Sequence, residues 1–312
     1  MKLLGDPHLG RSFIHGVPLD RRGERERMVN QQFLSDIMTP SGGLHVCMGD
    51  LFDKAIVPYS VILNTALAYA AAAQKFPNTK YVILKGNHDW QRDLEKPSAF
   101  DLFHRMVNHI NNIFVVTTTY QIGRLAFFAW HPTINAVEMV RNGVWDADVA
   151  LGHWDIEDFG GDNMNLIPTQ ALAEAGVKNA FTGHIHKPQE FVRDNVNVVV
   201  VGSMQPYAHG EEIDETLYKT IDKKALLESP VGAWHNHCLR VDLSAGDILD
   251  IEVDCLQLTV RKEKEDGKPM EVTLGDFNMT ELFRSSFTEA GVSDKITDTL
   301  LGRYEASRMT ND

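Results

Sequence analysis

Leu44-His45-Val46-Cys47-Met48-Gly49-Asp50-Leu51-Phe52-Asp53 is the stretch on which the fold turns. Residues 44–48 read as a short buried strand. Gly49 then breaks the run, and a carboxylate, Asp50, follows at once. A strand that stops at a glycine and delivers a charged side chain is the pattern of a sheet with a site at its edge.

The same event recurs on both sides. Upstream, the run 2–4 ends in Gly5-Asp6-Pro7-His8. Downstream, the run 81–84 ends in Gly86-Asn87-His88-Asp89, and two later runs end in Gly152-His153 and Gly183-His184-Ile185-His186. Taken singly, an Asp here is a turn former and a His an ordinary loop or core residue. In series, the five deliver one consistent donor set. Ligands of open α/β sheets gather outside the carboxyl ends of the strands, so these groups are expected to converge. Glycine at each point lets the backbone turn sharply or approach an ion closely.

Between these points the chain alternates apolar runs with amphipathic stretches, as an α/β domain does. Val29, Phe33, Leu34, Ile37 and Met38 recur at helical steps. Residues 58–76, with their alanine run, and 97–110 predict further helices. Strands are expected at 113–116, 120–122, 125–130, 149–151, 180–181, 191–193 and 196–201. Beyond about residue 203 the texture becomes polar, and 238–243, 248–253 and 256–260 predict a small sheet. Residues 261–269 are a charged, Gly/Pro-ended linker. Two short helices are expected at 280–290 and 293–306, with Leu282, Phe283, Phe287, Ile296, Leu300, Leu301 and Tyr304 as their apolar faces.

Carboxylate, amide oxygen and imidazole together suit manganese, iron or zinc better than calcium. Two such ions about 4 Å apart clamp the attacking and leaving oxygens of a displacement at phosphorus. Two ions need a shared ligand, and Asp50 is the natural bridge.

Composition removes other classes. The 312 residues carry a net charge of −13, which counts against a generic basic nucleic-acid coat. Three cysteines do not make a disulfide framework. No apolar run reaches the roughly 20 residues of a membrane span, and the N-terminus has no signal-peptide texture, so a cytoplasmic location without membrane is expected. No Walker loop or dinucleotide fingerprint is present.

The series Asp6-x-His8, Gly49-Asp50-x-x-Asp53, Gly86-Asn87-His88-Asp89, Gly152-His153 and Gly183-His184-x-His186 resembles the calcineurin-like metallophosphoesterase superfamily over roughly residues 1–205. The finer likeness is to SbcD-type DNA repair and recombination nuclease subunits, including those of phages. It is carried by Gly5-Asp6-Pro7-His8-Leu9-Gly10, Gly49–Asp53, Gly152-His153-Trp154, and Gly183–His186 with Val201-Gly202-Ser203. The resemblance implies a four-layer α/β/β/α sandwich. It also implies that Asp6, His8 and His186 hold one divalent metal and Asn87, His153 and His184 a second, with Asp50 bridging. Manganese is the first expectation, magnesium, iron or zinc the others. His88 would contact the scissile phosphate and assist the leaving oxygen, with Asp53 or Asp89 orienting its ring, although plain loop hydrogen bonding is an equal expectation for both carboxylates.

The resulting organisation is a nuclease domain at 1–205, a capping region at 206–260, a linker at 261–275 and a helical partner-binding segment at 276–312. The implied partners are DNA, an SbcC-type coiled-coil ATPase gripped by the C-terminal helices, and a second copy in a homodimer. For a phage gene the location would be the host cytoplasm. The rivals are a phosphatase or small-molecule phosphodiesterase on the same core, and a metal-holding scaffold without turnover. Arg11, Arg21, Arg22, Arg25, Arg27 and Lys187 are candidates for a phosphate-contacting rim, Arg11 and Lys187 foremost. A solvated helix face is the plainer expectation for Arg25 and Arg27. Trp154 and Phe159 are expected in packing rather than on a base. His15, His45, His131, His209, His235 and His237 fall outside the pattern, and Cys47 reads as a buried packing residue.

Overall fold

The computed structural model describes residues 1–157, 163–262, 287 and 296–301. The chain divides into two units, Met1–Glu263 and Lys264–Asp312. In the second, the described residues 287 and 296–301 are helical. The rest of the predicted C-terminal helices, nearly all of the linker 261–275, and Phe159 lie outside the described residues.

The first unit opens with β1 (Lys2–Leu4), α1 (Glu24–Ile37), β2 (Leu44–Cys47), α2 (Tyr59–Lys75), β3 (Lys80–Leu84), α3 (Ala99–Val107) and β4 (Ile113–Val116). These strands form one parallel sheet in the order β1-β2-β3-β4. Then follow β5 (Thr119–Ile122), β6 (Leu125–Phe128), α4 (Ala136–Arg141), β7 (Val149–Gly152), α5 (Thr169–Glu174), β8 (Asn179–Thr182), β9 (Gln189–Arg193) and β10 (Val196–Val200). They make a second sheet, β5-β6-β7-β8-β10-β9, parallel at its centre with an antiparallel strand at each edge.

Both faces of the first sheet are apolar because both are covered. Val46, Met48, Val82 and Leu84 point to the second sheet and meet Phe127, Ala129 and Leu151 in a core between the sheets. Cys47, Tyr81 and Ile83 point the other way, into the layer of α1, α2 and α3. Ala126, Phe128, Ala150 and Ala180 of the second sheet pack with residues of α4 and α5. The layers therefore run helix, sheet, sheet, helix, the mixed α/β sandwich expected.

The alanines of α2 earn their place by closeness: Ala66, Ala68, Ala72 and Ala73 are buried around Tyr69. On α1 the buried row is Arg25, Val29, Phe33 and Ile37, at four-residue steps, whereas Leu34 faces solvent. Arg25 thus departs from the solvated face expected of it. Its guanidinium donates to Gln205 Oε1 and the Pro206 carbonyl and lies over the Phe13 ring. Arg27 does face solvent.

A third, parallel sheet follows: β11 (Tyr218–Asp222), then α6 (Lys223–Glu228), β12 (Cys238–Leu243) and β13 (Gln257–Lys262), in the order β11-β12-β13. The strand expected at 248–253 is absent. Those residues pair with nothing in the sheet, while Leu249 and Val253 lean on its small core and Ile248 stays exposed. The unexpected strand β11 takes the free edge of β12 instead. Met28 of α1 packs against Tyr218, Cys238 and Leu256, tying this sheet to the first helix. Cys47, Cys238 and Cys255 are free and buried. No described helix is long and apolar enough to cross a membrane.

Candidate metal centre

The loops after β1, β2 and β3 of one sheet and after β7 and β8 of the other end at the same place, and they carry all seven predicted ligands there. Asp6, His8 and His186 form one cluster whose donor atoms lie within 4.8 Å of one another; Asp50, His153 and His184 form a second. His8 Nε2 and His186 Nε2 are 3.0 Å apart. Asn87 Oδ1 lies 3.0 Å from His153 Nε2 and 2.9 Å from His184 Nδ1. Asp50 stands between the clusters, its Oδ2 3.8 Å from His8 Nε2 and 3.4 Å from His153 Nε2.

The backbone is bent to achieve this. His8, Asp50 and His184 adopt positive φ values of 45°, 48° and 72°, a region side-chain-bearing residues seldom occupy and one in which strain collects at functional sites. Main-chain bonds tie the first two loops together, His8 N donating to Asp50 O and Leu9 N to Leu51 O, each at 3.0 Å, and His184 N donates to Asp6 Oδ2 at 2.8 Å. Gly49 has φ 121°, and a Cβ on it would sit 2.1 Å from His153 Nδ1. Only glycine lets this imidazole press against the loop.

Each imidazole is aimed by what lies behind it. His153 Nδ1 donates to the Met48 carbonyl at 2.9 Å, leaving Nε2 to face inward. His184 Nε2 is 2.6 Å from Asp155 Oδ1, and His186 Nδ1 is 3.0 Å from Glu211 Oε1. Asp155 and Glu211 were not among the predicted site residues. For Asp155 the only sequence signal is its place two residues after His153. Glu211 has no motif at all.

Charge crowding governs the proton affinities. Burial alone would raise Asp50, but His153, His8 and His88 hold it far below the carboxylate range. Asp6 is raised to about 6 by burial, with Asp50 adding to it. His8 is pushed down to about 3, chiefly by burial. Burial also opposes charge on His153, yet Asp50 and Asp6 outweigh it and raise that histidine to about 9.

The donors fit divalent cations. Asp6 Oδ1 and His8 Nδ1 are buried with no hydrogen-bond partner, and two Nε2 atoms 3.0 Å apart converge on one point. An oxygen–imidazole set of this kind suits borderline divalent metals. Asp6, His8 and His186 would hold one ion, Asn87, His153 and His184 the other, with Asp50 reaching both.

His88 stands beside the clusters. Its Nδ1 donates to the main-chain carbonyl of Asp53 at 2.6 Å, and its Nε2 lies 4.0 Å from Asp50 Oδ2. The group that orients the ring is thus a backbone carbonyl and neither of the two carboxylates expected. Asp89 is turned away: its carboxylate accepts from Leu51 N, Phe52 N and Gly86 N at 3.2, 3.0 and 2.9 Å, lacing the second motif loop to the third. Asp53 Oδ1 lies 3.5 Å from the Arg11 guanidinium, which also sits over the Tyr207 ring. Lys187 is exposed. Trp154 is buried, and its amide donates to Thr182 Oγ1.

Fold and site together define a metal-dependent phosphoester hydrolase. The calcineurin-like phosphoesterase family matches residues 3–188, a span that holds all seven candidate ligands, and the chain belongs to that family. Among solved structures it is similar to the phosphopantetheinyl hydrolase PptH of Mycobacterium tuberculosis, at 12% identity and a TM-score of 0.38 over 66% of this chain and 92% of that one. It is also similar to GAP50, the anchor in the inner membrane complex of Plasmodium, at 12% identity and a TM-score of 0.35 over 65% and 70%. No curated protein matches the chain.

Proposed function

We propose that the protein is a DNA nuclease of the SbcD type, hydrolysing phosphodiester bonds in recombination or repair beside a coiled-coil ATPase. One observation supports this above others. The motif residues that go beyond the general family set are packed tightly into the loops that carry the site. Leu9 is buried and bridges to Phe52. Trp154, next to His153 in sequence, is buried with its amide bonded to Thr182 Oγ1, and the Gly202 carbonyl presses against Gly5.

Two bound divalent ions, manganese by preference, would supply hydroxide at neutral pH and absorb charge developing at phosphorus. The chain's own groups do the rest. Asp50, which lies near His8 and His153, would serve both ions, and the histidines around it keep it charged. His88, fixed through Nδ1, presents Nε2 beside Asp50 and hands its proton to the departing oxygen. Arg11, held by Asp53 and Tyr207 at the rim, places a positive charge for a neighbouring phosphate; Lys187 is a second such charge. A homodimer, which the family resemblance implies, belongs to the same reading.

The test is cleavage of end-labelled linear double- and single-stranded DNA with manganese and with magnesium, beside a chromogenic phosphomonoester. Metal-dependent DNA cleavage is expected. Turnover of the monoester alone would make it a phosphatase, and metal occupancy without any turnover a scaffold.

A further inference from the structure

The region matched by the family stops at residue 188, yet the metal centre does not. The chain returns after β10 with Ser203 N bonded to the His186 carbonyl and Met204 N to the Asp6 carbonyl. Tyr207 then lies edge-on to the rings of His8 and His186, with centroids 5.3 and 5.8 Å away, and its hydroxyl donates to the carbonyl of Pro7, between the two ligands of the first motif. Four residues on, Glu211 turns back. One carboxylate oxygen accepts from Tyr207 N at 2.6 Å, and the other meets His186 Nδ1 at 3.0 Å. Its side chain is 19% exposed, so the pair is largely shielded from solvent.

This geometry has a chemical consequence for His186. An imidazole can offer a lone pair from only one nitrogen while the other carries hydrogen, and the bond made by the far nitrogen decides which. Glu211 demands the hydrogen at Nδ1. The lone pair is therefore at Nε2, the atom beside His8 Nε2. A carboxylate in this place also makes the imidazole a stronger donor. His8, the other histidine of that cluster, has no hydrogen-bonded partner at its Nδ1, the Asp53 carboxylate standing off at 3.8 Å, so Glu211 is the carboxylate in hydrogen-bond contact with an imidazole of this cluster.

We infer that Glu211 is a positioning residue for the metal held by Asp6, His8 and His186, and that the segment 203–211 is an integral wall of that site. Asp155, bonded to His184 Nε2, has the corresponding place at the other cluster, so the two positions can be weakened separately.

The experiment is calorimetric titration of the metal-free full-length protein with Mn2+ alone, with no nucleic acid present, so its outcome is independent of which phosphoester the enzyme cleaves. Two binding events are expected in the unaltered protein. Glu211→Ala should weaken one of them about ten- to a hundredfold, the usual effect of removing a ligand's hydrogen-bond partner, while the metal-free protein still melts in one cooperative transition, lowered only modestly by loss of the Tyr207 amide bond. Asp155→Ala should weaken the other event. Glu211→Gln keeps an oxygen acceptor for the Nδ1 hydrogen while confronting the Tyr207 amide with an NH2 group, so its affinity should fall between those of Ala and the unaltered protein. Two tight events in Glu211→Ala would overturn the inference. So would equal weakening of both events with loss of the cooperative transition, or a Gln variant no better than Ala.

Discussion

His88 and Asp53 are joined side chain to main chain: the ring Nδ1 donates to the Asp53 carbonyl oxygen at 2.6 Å, so the orientation of the imidazole does not depend on the Asp53 side chain. His88→Ala should retain both metals and lose about two to four orders of magnitude in turnover, the range for removing a positioned acid. Asp53→Ala should leave that ring in place and weaken substrate binding through Arg11, raising KM more than it lowers kcat. Metal analysis beside steady-state kinetics separates these. A metal-free His88 variant would show that the histidine belongs to the coordination sphere.

Asp50 approaches donors of both clusters, so Asp50→Ala should lose both ions together, and activity with them. Excess chelator should abolish hydrolysis by the unaltered protein, and a divalent ion should restore it. Undiminished cleavage in chelator would exclude the bimetal mechanism.

At Gly5 the backbone has no slack. A Cβ there would lie 1.8 Å from the Gly202 carbonyl oxygen, and neither partner is a flexible side-chain end. Gly5→Ala should cost at least about 3 kcal/mol, the upper end for overpacking, and reduce metal content because Asp6 is the next residue. Urea denaturation of the metal-free protein gives the first number and elemental analysis the second.

Away from the site, Lys85 is almost fully buried and donates to Asp101 Oδ1 at 2.6 Å, with its ammonium over the Trp90 ring. Burial acts to raise the Asp101 pKa, but Lys85 and the Ser98 amide outweigh it and hold the carboxyl below its ordinary value. The unfolded chain therefore takes up the proton first. This contribution to stability is present above the unfolded pKa of about 4 and is lost as pH falls through the lower folded one. Asp101→Asn should lower stability at pH 7 by about 1–2 kcal/mol, less than for fully buried pairs because Asp101 is partly solvated. The gap to the unaltered protein should close toward pH 3 in urea unfolding curves. A gap that stays constant would assign the effect to helix capping by Ser98 and Asp101 alone.

Deleting residues 276–312 should abolish co-purification with a coiled-coil ATPase from the same source while sparing metal-dependent cleavage. Unchanged affinity for the ATPase would remove this segment as its dock. Loss of metal or aggregation would mean that the segment packs on its own chain.

The sandwich was legible because five core strands, β1, β2, β3, β7 and β8, are apolar runs that stop at or just before a glycine, and because the donors follow at those strand ends, where tertiary structure leaves little choice. Legibility failed where a residue's role depends on what approaches it later. Tyr218–Asp222 is a polar pentapeptide that becomes a strand only by lying along β12. Residues 248–253 carry enough apolar character to read as a strand but find no ladder. Arg25 occupies the first place in a four-step apolar row, which charge alone disguises. Glu211 meets His186 across 25 residues of sequence, a distance no local pattern spans. Asp89 directly follows His88, as a group orienting that ring would, yet its carboxylate accepts from three backbone amides instead.

The candidate ligand set is shared between the two sheets: Asp6, His8, Asp50 and Asn87 follow strands of one, His153, His184 and His186 strands of the other. A pair of cations seated there would consequently be a clasp across the seam of the sandwich as well as a reagent. By mass action an ion present at a hundred times its dissociation constant would add about 2.7 kcal/mol against unfolding. The tightness with which the two halves stay shut, and with it resistance to heat and to proteolysis, would then rise and fall with the free metal around the molecule.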